Sequence, residues 1–346
     1  MDFSRRKFSI EPAAPAIVMA FGIFFIGAFD YFSFLNRNDT FFVLLYSVIT
    51  IIVLFMVIFT YSEVSKMKEL MKQPVRSFAL GTWIAALSVF CIVIKMYTEN
   101  VLPWLQFLTI VNIVFLSCFL FMYVRSFIYL CTTHKTMKVD GIVLLSTVSI
   151  QSGVLMLYHM FGSFIFPIFP WVIGLGLVCY MVGFVLIIRS YTKMNWTLAD
   201  DWANTNCIIH GALSITGLAM VLTNAFSFHI TFIVWGVTVI FFLFIEGMEC
   251  VRAWKRYKRY HLRHGLFSYH VTQWSRNFTF GMFFAFTYTM YERGYFHSYD
   301  SVANFIAVFL KIWAVVVLCL LITQTLLFLH GKSFTFLKRK VLQWMK

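Results

Sequence analysis

The sequence predicts an all-α integral membrane protein whose ten transmembrane helices form five helical hairpins. Three observations lead there. The 346 residues are 61% hydrophobic and only 12% charged, whereas an ordinary soluble domain is about 45–50% apolar and about 25% charged. The apolar residues gather in ten runs, and about 20 such residues make a helix that crosses a bilayer. The basic residues fall almost entirely on alternate connections between those runs. This composition excludes a soluble enzyme, a disordered chain, a coiled coil and a collagen-like fibre.

In order, the runs cover 13–35, 41–61, 77–98, 102–124, 139–161, 165–188, 205–227, 229–248, 275–291 and 302–329. The first follows Arg5, Arg6 and Lys7 as a signal peptide would, but it is too long for a signal segment and nine more follow. Residues 1–346 thus read as a single transmembrane domain with short termini. The net charge of +14 would suggest nucleic acid in a soluble protein. Here its placement says otherwise. The N-terminus, the second, fourth, sixth and eighth connections and the C-terminus carry 24 of the 28 Lys and Arg residues. The opposite connections hold only Arg37 and Arg293, and Lys95 and Lys311 lie within apolar runs. Cytoplasmic loops are enriched in Lys and Arg, so both termini are expected in the cytoplasm of a cell-membrane protein. The basic face would meet anionic lipid, and no nucleic-acid partner is expected.

Short connections at Thr98–Val101, Gly162–Phe164 and Phe226–Phe228 pair the runs as hairpins. The odd runs begin 62 to 70 residues apart, which suggests one helix pair repeated five times. Odd runs are also the richer in small and hydroxyl residues. Gly22, Gly81, Ser149, Gly153, Ser214, Gly217, Thr279 and Gly281 all lie on them. Such residues let transmembrane helices pack closely. They also suit an inner ring of odd helices, lined by these eight, around a narrow path.

Chemistry for catalysis or cofactor binding is sparse. The seven cysteines lie in or beside apolar runs without a CxxC, so neither a disulfide framework nor a zinc site is expected. His159, His210, His229 and His330 show no paired spacing suited to haem, and no metal or other cofactor is expected. Asp30 and Glu246 sit near run ends, as expected of interfacial carboxylates, and Lys311 is the most deeply placed charge. Coupled transporters rely on buried acids or His chains. Their scarcity, with hydroxyl donors and basic charge nearby, points to passive anion flow. No enzymatic activity is expected.

Two stretches carry a resemblance. Pro74-Val75-Arg76-Ser77-Phe78 followed by Trp83-Ile84-Ala85, and Phe278-Thr279-Phe280-Gly281-Met282, are similar to segments of the tellurite-resistance/dicarboxylate transporter family. That family includes bacterial TehA-type proteins and plant slow anion channels. The resemblance implies a trimeric anion channel for ions such as chloride or nitrate, with one path per subunit lined by odd helices and closed by a phenylalanine at the position of Phe280. It also admits export of dicarboxylates or tellurite-like oxyanions. Gly281 stands where the family often has proline, and the glycines of the odd runs would then supply the bends.

A C-terminal reporter active only in the cytoplasm is expected to be active. Activity of an outside-only reporter at that end would overturn the ten-span topology.

Overall fold

The computed structural model describes residues 10–98, 101–133, 137–265, 269–297 and 300–344, with side chains for all of these except 163, 164, 262–264 and 331–344. Of the residues used for topology, Arg5, Arg6, Lys7, Glu99, Asn100, Lys135 and Lys346 lie outside the described residues. So do the side chains of Arg263, Lys332, Lys338, Arg339 and Lys340.

The chain is helical, with no strand among the described residues. Ten principal helices follow in order: α1 Ala16–Ile26, α2 Asp39–Tyr61, α3 Gly81–Tyr97, α4 Leu102–Thr132, α5 Leu145–Phe161, α6 Phe169–Lys193, α7 Ile208–Thr223, α8 Phe228–Gly265, α9 Trp274–Glu292 and α10 Asp300–Trp344. Eight helical segments are long and apolar enough to cross a membrane, so the fold is that of a multi-pass membrane protein. The other two helices differ. α1 is apolar but has 11 residues, ending at Gly27 where the sequence predicted a helix to residue 35. A 3₁₀ turn at Phe29–Tyr31 and a single helical turn at Ser33–Asn36 carry the rest. α9 has 19 residues and interleaves Arg276, Asn277 and three threonines with its aromatics.

The even helices outlast their apolar runs because their polar ends continue as helix. α8 extends past residue 248 through Arg252–Arg259, and its regular geometry breaks at His261 (φ 58°). The extension docks on the connection before α7. Arg259 Nη1 lies 2.6 Å from Asp200 Oδ2, Tyr260 donates to Asp200 at 2.9 Å, and Arg256 donates to the Ala199 carbonyl at 3.2 Å.

Burial divides the helices into two classes. In the most apolar stretch of the segments ending in α3, α5 and α7, 78%, 83% and 94% of residues are buried. For α2, α4, α6, α8 and α10 the share is 22% to 33%. The odd helices are therefore interior and the even ones peripheral. α1 packs on α3, α3 on α5, α5 on α7, α7 on α9, and α9 back on α1, so the interior helices close a ring. Each also packs against the even helix that follows it.

Most of these pairs carry a polar stitch. Tyr46 of α2 donates to the Val18 carbonyl of α1 at 3.3 Å, and Asn112 of α4 donates to the Ile84 carbonyl of α3 at 3.1 Å. Thr147 and Gln151 of α5 donate to the Gly176 and Ile173 carbonyls of α6 at 3.0 and 3.1 Å. Trp313 of α10 donates to the Phe280 carbonyl of α9 at 3.4 Å. In hydrocarbon a polar side chain must find a partner within the protein, so such bonds fix which peripheral helix sits where.

Four interior helices begin with a 3₁₀ turn: Arg76–Leu80, Gly141–Leu144, Asn204–Cys207 and Val271–Gln273. Successive turns touch, forming a collar at the basic face. Asn206 Oδ1 accepts from the Gly141 amide at 3.0 Å, Thr205 donates to Asp140 at 2.7 Å, and Asn204 donates to Thr272 at 3.3 Å. Backbones come very close here. A Cβ on Gly81 would lie 2.6 Å from the Leu145 carbonyl oxygen, and one on Gly141 would run into the Thr205 carbonyl.

Gly81→Ala is expected to lower stability by about 1–3 kcal/mol, the usual cost of overpacking. Gly174→Ala on α6, where a Cβ meets open space, is expected to be neutral or mildly stabilising through helix propensity. Thermal unfolding in detergent compares the two.

Candidate functional site

Two spaces border the interior ring. The first is an axial cavity of about 140 Å³ lined by the C-terminal halves of all five odd helices. α1 contributes Ile23 and Ile26, α3 Val89, Ile92 and Met96, α5 Ser152, Leu155 and His159, α7 Leu218 and Leu222, and α9 Met282, Ala285 and Thr289. The lining is mostly apolar.

None of the eight residues expected to line the path borders this cavity, and their contacts explain why. The glycines are spent on helix packing. Gly22 faces Tyr46 and Val89, Gly153 faces Leu116 of α4, Gly217 faces the Phe286 ring, and Gly281 faces Ile23. The hydroxyls bond within their own helices. Ser149 donates to the Ser146 carbonyl at 2.9 Å, Ser214 to His210 at 2.9 Å, and Thr279 to Arg276 at 3.0 Å. Such back-bonding satisfies the hydroxyl without a partner helix. The close-packing role of small residues therefore accounts for these positions.

Phe280 also points elsewhere. Its ring stacks on Trp313 of α10 with centroids 5.1 Å apart, and meets Phe242 of α8 edge-on at 5.4 Å. Helical phase gives the reason. Met282, Ala285 and Thr289 define the cavity stripe of α9, and at 100° per residue Phe280 falls on the opposite face. Phe278, one turn before Met282, falls on the stripe itself and is fully enclosed. Phe284 turns toward the 3₁₀ turn after α1, where its ring meets Tyr31 edge-on at 5.4 Å.

The second space is a polar chamber of about 530 Å³ at the collar, between the starts of α5, α7 and α9 and the basic extension of α8. Glu249, Arg252 and Arg276 line it, beside Asp140, Asp201 and Asn204. Arg276 Nη2 lies 2.7 Å from Glu249 Oε1, and its Nε lies 3.7 Å from Glu246 Oε2. Arg252 Nη1 lies 3.2 Å from Glu249 Oε1 and donates to Asn204 Oδ1 at 2.6 Å. At the inner end of this chain, His210 Nε2 stands 3.5 Å from Glu246 Oε1. His210 is fully buried, and neither ring nitrogen has a hydrogen-bond partner. At the rim, the Thr197 amide and then Lys138 hold the Asp201 carboxyl below the usual carboxylate range.

The network adds to the expectation for Glu246 a set of partners within the protein. Glu246 is 17% exposed and Glu249 is 9%; both are held inside the protein by arginine. The signal is present in the spacing Glu246, Glu249, Arg252, since residues three apart share a helix face, but nothing in the sequence near them points to Arg276, which reaches them from α9. Lys311, by contrast, is exposed on the outer surface of α10 and pairs with no carboxylate among the described residues.

Compared with known proteins, the chain matches no family model and no curated sequence.

Arg276→Gln would leave two largely buried carboxylates short of a counter-charge. Breaking a fully buried pair costs about 3–5 kcal/mol; Arg276 is 27% exposed, so roughly 2 kcal/mol is expected after screening. Adding Glu249→Gln is expected to restore part of the loss in thermal unfolding. Full additivity of the two changes would show that the pair is uncoupled.

Proposed function

We propose that this protein is a passive channel for small monovalent anions such as chloride or nitrate, running along the axis of the interior ring. The observation that carries the reading is the cavity bordered by one stripe from each of five interior helices. A conduit needs a continuous interior wall, and a closed ring of buried helices supplies one. The sign of the permeant ion follows from charge. Interior helices begin at the collar beside the basic connections, and each N-terminus is equivalent to roughly half a positive charge. Both termini are taken to be cytoplasmic, with ten spans and five hairpins in a cell membrane, as the distribution of Lys and Arg suggests. A homotrimer with one path per subunit is taken from the resemblance to the tellurite-resistance/dicarboxylate transporter family.

In this reading the path is shut by apolar packing on the collar side of the cavity, where a narrow hydrophobic constriction excludes water and ions. Phe278 is the aromatic on that line. Phe280, the occluding residue by resemblance, backs the same helix against Trp313.

A second reading rests on the buried His210–Glu246 contact. A histidine and a carboxylate in contact within a membrane domain suit proton-coupled transport, and this arrangement would serve export of dicarboxylates or tellurite-like oxyanions.

Liposome flux assays decide among these. Phe278→Ala is expected to raise basal chloride flux about tenfold or more, a barrier change of roughly 1.4 kcal/mol, with cation flux unchanged. Phe280→Ala is expected to do less. The reverse order would return the gate to Phe280. Flux that follows the pH gradient, and that loses this dependence in His210→Gln, would favour the coupled carrier over the channel.

A further inference from the structure

A third cavity, of about 280 Å³, opens on the periphery near the basic end of α4, away from both the axial cavity and the polar chamber. Met71, Lys72 and Pro74 border it from the connection before α3, and Phe121, Arg125 and Tyr129 border it from α4. The charges around it are unevenly committed. Lys66 pairs with Glu63 at 3.0 Å, and Arg76 pairs with Glu11 at 3.0 Å. Lys72 and Arg125 pair with no carboxylate among the described residues. Two cations thus face one shallow groove with their charge unneutralised.

Below the groove the surface is apolar. Val114, Cys118, Phe121, Arg125 and Ile128 recur at helical spacing on one exposed stripe of α4. Phe121 is 77% exposed. From Arg125 back to Val114 the stripe runs about 16 Å at 1.5 Å per residue, close to one leaflet of a hydrocarbon core about 30 Å thick. The helix Val64–Met71 lies beside the groove, with Leu70 buried and Val64 and Met71 exposed on either side of Lys66 and Lys68. Short amphipathic helices of this kind lie in the headgroup plane.

We infer that this groove is a binding site for an anionic phospholipid. Lys72 and Arg125 hold the phosphate, Tyr129 flanks it at headgroup depth, and an acyl chain follows the stripe through Phe121 toward Val114. A free inorganic anion has no use for the stripe, which commits the site to lipid. The inference needs only that the chain sits in a bilayer, so it stands apart from the channel and carrier readings.

Native mass spectrometry of the full-length protein, delipidated stepwise and reloaded with phosphatidylglycerol or phosphatidylcholine of equal chain length, tests it. The wild type is expected to retain phosphatidylglycerol roughly tenfold better, as two interfacial cations warrant. Lys72→Gln/Arg125→Gln is expected to lose most of that preference. Lys255→Gln, on the exposed extension of α8, is expected to keep it. Equal retention of the two lipids by the wild type would overturn the site without recourse to any variant. An undiminished preference in the double variant would do the same. Release of bound phosphatidylglycerol by millimolar inorganic phosphate would reassign the groove to a free anion.

Discussion

The seating of α3, α5 and α7 in the ring depends on backbone meeting backbone at the collar. A carbonyl oxygen of one interior turn lies where the next helix has only hydrogen on its Cα, at Gly81 against Leu145 and at Gly141 against Thr205. Any side chain there forces the neighbouring helices apart, and the displacement grows along their length. Asn206, Thr205 and Asn204 then lock the approach with hydrogen bonds to Gly141, Asp140 and Thr272. Helix association in a membrane gains little from hydrophobicity, because lipid is equally apolar. Close contact and a few polar bonds therefore do the organising, and both concentrate on the interior helices.

The fold class was legible because helix length and apolarity leave a direct mark on sequence. The difference between odd and even helices was also legible: small and hydroxyl residues go where helices are surrounded by protein. What those residues do was less so. A glycine that faces a pore and one that faces a neighbouring helix look alike in one dimension, and the contacts of Gly22, Gly217 and Gly281 are with neighbours. The hydroxyls of Ser149 and Ser214 could not be read as occupied, since the carbonyl that accepts from each belongs to the same helix.

Within α9 the difficulty was angular. Phe278, Phe280, Phe283, Phe284 and Phe286 offer an aromatic in every direction, and a motif names a residue without naming its azimuth. Met282, Ala285 and Thr289 set the azimuth once the cavity is known. The collar network was hidden for another reason. Glu246, Glu249 and Arg252 are close in sequence, but Arg276 and His210 reach them from other helices.

The indole of Trp313 donates to the carbonyl of Phe280, on an interior helix, from a peripheral helix most of whose surface faces outward. The Phe280 side chain stacks on the same indole. α10 is thereby fastened to the stretch of α9 that carries Phe278 and Met282, and Asn277 of α9 adds a second bond, to the Leu320 carbonyl of α10 at 3.4 Å. A change in the tilt of α10 would therefore bear on the α9 backbone just before Gly281, which packs closely on Ile23 of α1. Tilt is the variable through which a helix answers to bilayer thickness. Trp313 and Asn277 thus tie the placement of an outward-facing helix to the helix that carries the axial stripe.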